Sequence, residues 1–262
     1  MSDNTPINIP ENAVDLAKEL YEDSIQPTAQ EVGKLVARIP AAINAALSSV
    51  DCWILAKQNN VEKVKLLLEE NMKNVDPDKI IPPKPYVAVP TIQALSYSMD
   101  SDELRNLYAN LLTKSIYSDT CDSVHPAYVE IIKNLSPLDC RVFNEIMGTE
   151  TQEIGAYELR VGNADSNTYH VAHPYITAIS LADTYAVSVS IDNLTRNKLI
   201  SPEDFHYEDD TKYLAIRNSS FYQAIEKAFS DSPDGEILKP HKISIKSSRL
   251  GKSFYDVCST AL

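Results

Sequence analysis

Apolar residues recur at steps of three or four along most of the first half of the chain. The longest of these stripes begins at Ala29, ends at Ile54 and contains eight apolar positions. A repeat of about 3.6 residues brings its members to one face of an α-helix, whereas a β-strand needs a repeat of two. Residues 28–73 are therefore predicted to be mostly helical. Pro40 falls inside the stripe and predicts a kink or a break, because proline donates no backbone hydrogen bond.

A proline-rich stretch separates this helical region from the next predicted helix. Five prolines in residues 75–90 predict an extended crossing segment, since proline disfavours the helical conformation in the residue before it. Leucines and a tyrosine at helical spacing then predict a helix over residues 101–117. Asp100 and Glu103 are typical of a capping box at the start of that helix.

Two further helix starts contain proline, and the pattern changes after Gly148. Pro126 begins one helix, and Ser136 with Pro137 begins the next, because serine accepts a backbone hydrogen bond and proline suits the first turn. The second half is then predicted to contain a strand, a helix ending before Leu199, a hairpin-like acidic insert, another strand and a final helix. This order of elements is typical of a winged-helix domain.

These elements predict a mainly α chain with two domains, and its 262 residues are enough to form them. Residues 1–120 are predicted to form an N-terminal helical domain that includes the proline-rich crossing segment. Residues 126–262 are predicted to form an α+β winged-helix-like domain.

The composition limits the partners and cofactors of the chain. Its 24 basic and 37 acidic residues give a net charge of −13, and neither half is basic. Such a field repels nucleic acid, which is therefore not expected as a partner. The six glycines form no phosphate-binding loop, so no nucleotide cofactor is expected. The four cysteines are well separated and the acidic N-terminus lacks an apolar signal core, which favours a cytoplasmic protein with reduced thiols.

One stretch near the C-terminus opposes the acidic trend. No acidic residue lies between Leu238 and Tyr255. Its basic residues are Lys239, Lys242, Lys246, Arg249 and Lys252. Lys242, Lys246 and Arg249 are candidate phosphate contacts, because a winged-helix wing uses such side chains on a nucleic-acid backbone. The predicted recognition helix carries Asp192 instead of a basic face, which favours a protein-binding or dimerising domain.

The histidines are the main candidates for chemistry. His125 precedes a proline at a helix start, and its side chain is predicted to cap free backbone N–H groups there. No nucleophile or carboxylate is placed beside it by the sequence. His170 and His173 are three residues apart, but no third ligand accompanies them, so a metal site is not favoured. The chain is therefore predicted not to be an enzyme, with no catalytic residue, metal or cofactor.

The predicted helix from Ala29 to Ile54 is expected to mediate self-association, and it contains the uncharged stretch "IPAAINAALSSV", residues 39–50. The 12 residues of this stretch are too few to span a bilayer, which needs about 20. Small side chains let helices approach closely. The apolar contacts are assigned to Val36, Ile39, Ile43 and Leu47. A homo-oligomer is expected, and a membrane contact after activation is left open.

Several long stretches are similar to one known family. They are "LYEDSIQPTAQEVGKLV", "PPKPYVAVPTIQAL" and "HPAYVEIIKNLSP", with "SIDNLTRNKLI" and "KISIKSSRLGKSFYDVC" near the end. With these stretches the chain resembles the Abi-alpha (abortive infection alpha) family of bacterial proteins. The resemblance implies resistance to bacteriophage by host-cell shutdown, and it supplies no catalytic mechanism. The residues that carry the motif are Glu103, Leu104, Tyr108, Asn110, His125, Pro126, Glu130, Ser136 and Pro137.

The sequence thus predicts an antiphage defence protein of the abortive infection type. It is expected to be a non-enzymatic sensor or effector that contacts a phage or host protein or its own copies. The motif residues assigned to partner contact are Glu103, Tyr108, Asn110, His125, Pro126 and Glu130. Two alternatives stay open: a winged-helix nucleic-acid-binding regulator, and an enzyme whose site the sequence hides.

Overall fold

A computed structural model describes residues 66–73, 75–95, 101–163, 168–230 and 236–261. About 52% of the described residues are helical and 21% lie in strands, so the chain is mixed α/β. The prediction of a mainly α chain was wrong, because residues between Glu153 and Ser247 form a four-stranded sheet. The predicted self-association contacts Val36, Ile39, Ile43 and Leu47 lie outside the described residues.

The chain divides into two compact units. The helical unit contains the described residues up to Lys133 and the returning segment from Val257. The sheet unit is Asn134–Asp256 and contains all four described strands. In the helical unit the elements are a helical segment 66–71, a 3₁₀ turn Pro77–Lys79, and the helices α1 (Pro85–Leu95), α2 (Asp102–Ile116) and α3 (Ala127–Lys133).

Helix α2 forms the centre of the helical unit. Its buried apolar residues are Leu107, Tyr108, Leu111, Leu112 and Ile116, and the preceding segment adds Leu68 and Met72. Their helical spacing is the one that predicted a helix over 101–117. The cap, however, is Ser101, whose Oγ accepts a hydrogen bond from the Leu104 N–H at 3.2 Å. The predicted cap residue, Asp100, lies outside the described residues.

The proline-rich segment is extended over only part of the predicted range. Helix α1 begins at Pro85, because proline suits the first turn of a helix, where no N–H donor is needed. It also contains Pro90 in its interior, where the missing N–H removes one helical hydrogen bond. The extended part before it runs beside the end of α2, where the Ile81 N–H donates to the Ile116 carbonyl at 2.8 Å. Two ion pairs hold the segment there, Lys79–Asp119 at 2.6 Å and Lys84–Asp122 at 2.9 Å.

The sheet unit contains both helices and strands. Its elements are α4 (Pro137–Met147), β1 (Glu153–Asn163), β2 (Tyr169–Thr177), α5 (Thr184–Arg196), β3 (Ile200–Glu203), α6 (Thr211–Arg217), α7 (Ser220–Ser230), β4 (Glu236–Ser247) and α8 (Arg249–Phe254). Helix α4 begins as predicted, because Ser136 Oγ accepts from the Asp139 N–H at 3.2 Å. The Ser136 N–H donates in return to the Asp139 carboxylate at 2.6 Å, which completes a capping box.

The four strands form one antiparallel sheet in the order β2-β1-β4-β3. Strand β1 pairs with β4 along its whole length, from Glu153 opposite Lys246 to Asn163 opposite Glu236. The acidic stretch 201–216, predicted to be a hairpin-like insert, contains the end of β3 and most of helix α6. Strand β2 tolerates Pro174 because it lies at the edge of the sheet.

Helix α5 ends where the sequence predicted. The Leu199 N–H donates to the Leu194 carbonyl at 3.0 Å and the Lys198 N–H to the Thr195 carbonyl at 2.9 Å. Lys198 adopts a left-handed φ of 60°. These two bonds and this backbone conformation form a Schellman motif, which ends the helix and directs Leu199 toward β3.

A tyrosine-rich core lies between the sheet and helices α6 and α7. Its buried residues are Tyr157, Leu159, Ile176, Tyr213, Ile216 and Tyr222. The Tyr213 ring lies 5.3 Å from that of Tyr157 in an edge-on arrangement. Its hydroxyl donates to the Ile243 carbonyl at 3.2 Å and accepts from the Tyr207 N–H at 3.2 Å. Tyr157 and Tyr222 also border a surface cleft.

Candidate functional site

A cleft of about 540 Å³ opens on the sheet unit. It is lined by Tyr157, His206, Arg217, Tyr222, Glu226, Pro240, His241 and Lys242. These residues come from β1, β4, α6, α7 and the loop that follows β3. Tyr157 and Lys242 are directly opposite each other in the β1–β4 pairing, so both side chains point to the same face of the sheet.

Two cations of the cleft meet one carboxylate. The Lys242 ammonium group forms an ion pair with Asp210, and Arg217 Nη1 lies 3.6 Å from the same carboxylate. Arg217 Nε donates a hydrogen bond to the Tyr157 hydroxyl at 2.7 Å, which fixes the guanidinium group over the sheet. Hydrogen bonding from Lys242 holds the pKa of the Asp210 carboxyl below its usual value. Asp210 is therefore charged at neutral pH and lies between two cations.

The remaining polar groups make the cleft chemically mixed. His241 Nε2 lies 2.6 Å from the Asp204 carboxylate, and Glu226 adds a second acid from α7. Burial raises the pKa of Tyr222, and burial with hydrogen bonding to Glu153 raises the pKa of the nearby Tyr207 to about 12. These tyrosines stay neutral at physiological pH. The cleft thus combines fixed cations, hydroxyl groups and aromatic walls, a set suited to a small polar ligand.

Only one of the three candidate phosphate contacts lines this cleft. Lys242 lines it, whereas Lys246 forms an ion pair with Glu203 at 2.6 Å and Arg249 begins α8. Glu203 at the end of β3 and Asp210 in the loop that follows thus already neutralise two of the three cations. The sequence missed Tyr157, Arg217 and Glu226, because they lie far apart in the chain and match no motif.

Comparison with known proteins identifies the family. The family model described as abortive infection alpha matches residues 56–258. The chain belongs to the abortive infection alpha family. This confirms the resemblance stated from the sequence, and the family assigns the chain to abortive infection defence. No curated protein matches the chain, and neither does any solved structure.

Most motif residues of this Abi-alpha chain support the helical unit. Tyr108 is fully buried in α2, and Glu103 Oε2 accepts a hydrogen bond from Ser101 Oγ at 2.9 Å beside the helix start. Glu130 forms an ion pair with Lys133 at 2.7 Å on the surface of α3. These residues are spread along two helices, α2 and α3.

Asn110 is the motif residue with the farthest contacts along the chain. Its Oδ1 accepts a hydrogen bond from Asn71 Nδ2 at 2.7 Å. Its Nδ2 donates to the Cys258 carbonyl at 2.8 Å. Lys114, one turn later on α2, adds a bond from Nζ to Thr260 Oγ1 at 2.8 Å. Asn110 therefore joins three separate segments of the Abi-alpha helical unit, which is a structural use of a polar side chain.

His125 caps the start of α3 in this family member. Its Nδ1 accepts a hydrogen bond from the Ala127 N–H at 3.1 Å. The side chain is exposed, and its ring lies 6.0 Å from that of Tyr128. This contact is the cap that the sequence predicted, and Pro126 occupies the first turn beside it.

Replacing His125 by alanine is expected to lower the free energy of unfolding by about 0.5–2 kcal/mol and to leave phage protection intact. The Ala127 N–H loses its acceptor, while no other motif residue changes its contacts. Urea denaturation and a plaque assay measure the two effects. His125→Asn, which restores an acceptor, is the control. A His125→Ala protein as stable as wild type but without defence activity would show that His125 acts directly in defence.

His170 and His173 lie in the edge strand β2. The His173 ring packs edge-on against Phe221 at 5.2 Å. Among the residues that the structure describes, no three histidine, cysteine, aspartate or glutamate side chains are close enough to share a metal ion. Within the described ranges, no helix combines the length and the apolar character needed to cross a bilayer.

Proposed function

We propose that this Abi-alpha chain is a non-enzymatic sensor of abortive infection, and that the cleft of its sheet unit binds the small molecule that activates it. The observation that carries the proposal is the arrangement of Arg217 and Lys242 beside two tyrosines in one cleft. The family supports the defence activity. The activated chain then contacts a phage or host protein or a second copy of itself.

The rigidity of the cleft supports binding. Its cations extend from a strand in the middle of the sheet and from the end of a helix packed on that sheet, and the Tyr157 hydroxyl orients the guanidinium group. A site held by its scaffold loses little entropy when a ligand binds. Its volume of about 540 Å³ also lies within the range of about 300–1,000 Å³ that is usual for small-molecule pockets.

Replacing Arg217 by alanine is expected to abolish phage protection in cells, because the ligand loses its main charged contact. Plaque counts on cells that express the variant are expected to equal those of cells without the gene. Lys227→Ala is the matched control, since it removes one positive charge from the exposed surface of α7 outside the cleft. Both variants are compared with wild type by circular dichroism melting. Full protection by a folded Arg217→Ala protein would reject the sensor proposal.

A second variant tests the non-enzymatic part of the proposal. His206→Asn with Glu226→Gln removes two cleft groups that can transfer protons and keeps their approximate shapes. A binding protein is expected to retain protection in this double variant. Loss of protection in a protein that melts like wild type and still binds inorganic phosphate as wild type does would assign the two groups to catalysis and would contradict the non-enzymatic proposal.

A further inference from the structure

We infer that the cleft contains an oxyanion site for the phosphate or carboxylate group of its ligand, and that the chain's own Asp210 occupies this site in the unliganded state. The inference rests on the proposed sensor function and names the chemistry that the sensor recognises. Three features of the cleft and of the loop that follows β3, residues 204–210, support it.

The first feature is that Asp210 is not needed to start the helix that follows it. Asp210 directly precedes α6, but its side chain makes no capping hydrogen bond. Asp209 binds the first residue instead: its carboxylate accepts from the Thr211 N–H at 2.9 Å and from Thr211 Oγ1 at 2.7 Å. The Asp210 carboxylate is thus directed toward Lys242 and Arg217 and not toward the helix backbone.

The second feature is that the cations keep their places without Asp210. Arg217 is held by the Tyr157 hydroxyl at 2.7 Å, and the backbone of Lys242 is paired with Tyr157 of β1. The Lys242 ammonium group also lies 5.1 Å from the centre of the Tyr213 ring, a cation–π contact. A guanidinium fork beside an ammonium group and a hydroxyl is the chemistry that binds an external oxyanion.

The third feature is the way the loop holds its aspartate near the site. Asp204, the first loop residue, lies 2.6 Å from His241 of β4, next to the Glu203–Lys246 ion pair at the end of β3, also at 2.6 Å. Asp210 is tethered and therefore competes with ligands at a high effective concentration. Its side chain is nevertheless 51% exposed, and ion pairs open to water are weak, so an external anion can displace it.

The test removes the internal competitor and measures anion binding by the whole protein. Asp210→Asn is titrated with inorganic phosphate and, separately, with acetate by isothermal titration calorimetry. We expect roughly tenfold tighter binding of at least one anion than in wild type, because the cations no longer need to release Asp210. Glu208→Gln is the control, since it removes the same charge from the same exposed loop, and among the described residues Glu208 has no ion-pair partner. We expect the affinity of this control to be that of wild type.

Each outcome bears on the inference. A gain for phosphate alone identifies a phosphate-bearing ligand, and a gain for acetate alone identifies a carboxylate-bearing one. A gain for both supports an oxyanion site that accepts either group. Adding Arg217→Ala to Asp210→Asn is expected to abolish the gain. The inference is wrong if Asp210→Asn binds neither anion more tightly than Glu208→Gln does, or if the gain persists without Arg217. The anion site stands, and the sensor proposal alone fails, if the gain is seen but Arg217→Ala still protects cells from phage.

Discussion

Replacing Gly251 by alanine is expected to lower the free energy of unfolding by about 3 kcal/mol or more. An added Cβ would lie 2.0 Å from the Leu199 carbonyl oxygen and 2.9 Å from its carbon. Both are backbone atoms, which cannot rotate away as a side chain can. Helix α8 approaches the start of β3 this closely because the Ser248 N–H donates to the same Leu199 carbonyl at 2.9 Å. Urea denaturation of the purified variant measures the loss.

Gly148→Ala is the matched control for this prediction. Its Cβ would lie 3.1 Å from the Asn144 carbonyl oxygen, and its φ of −74° is ordinary for any residue. We expect a change of less than about 1 kcal/mol, as for most substitutions without a backbone clash. A Gly251→Ala protein as stable as this control would contradict the close approach of α8 and β3.

Replacing Tyr213 by alanine is expected to lower the free energy of unfolding by about 3–5 kcal/mol, the usual loss for a buried aromatic ring. The side chain is fully buried, and its ring packs against Tyr157 beneath the cleft. Tyr213→Phe keeps the ring and removes only the hydroxyl, so a smaller loss of about 1–2 kcal/mol is expected. That hydroxyl bonds both the Ile243 carbonyl and the Tyr207 N–H.

The two substitutions separate packing from hydrogen bonding at the same position. Tyr185→Ala is the surface control, since this tyrosine of α5 is 71% exposed, and a change within about 0.5 kcal/mol is expected. Chemical denaturation of all three variants gives the comparison. Equal losses for Tyr213→Phe and Tyr213→Ala would mean that the hydroxyl group, and not the ring, holds the core together.

Most residues of the Abi-alpha motif lie in the helical unit, whereas the cleft lies in the sheet unit. The motif residues of the helical unit are explained by packing, capping and the bridge from Asn110 to the Cys258 carbonyl. The match to the family extends to residue 258, so it includes this bridge. The chemistry available for binding lies instead in the sheet unit, where Arg217 and Lys242 border the cleft. Variants in the two units are thus expected to differ: motif changes affect stability, and cleft changes affect protection.

The sequence by itself determined the elements that depend on nearby residues. The helix predicted over 101–117 is Asp102–Ile116, and the Ser136 cap is present as predicted. The same holds for the end of α5 before Leu199 and for the capping contact of His125. Helical periodicity, caps and Schellman ends are formed by residues within five positions of one another, so a single sequence is enough to predict them. The resemblance to the family was also found in short continuous stretches of the sequence.

The tertiary structure alone decided the sheet and the cleft. Strand β2 has mostly exposed or half-buried residues, so it shows little apolar alternation, and its pairing depends on β1. The cleft joins Tyr157 to Arg217 across 60 residues and Asp210 to Lys242 across 32. Such contacts depend on strand order and register, which are set by burial over the whole sheet and not by neighbouring residues. The basic stretch was visible in the sequence, but only the fold placed Glu203, Asp204 and Asp210 against it.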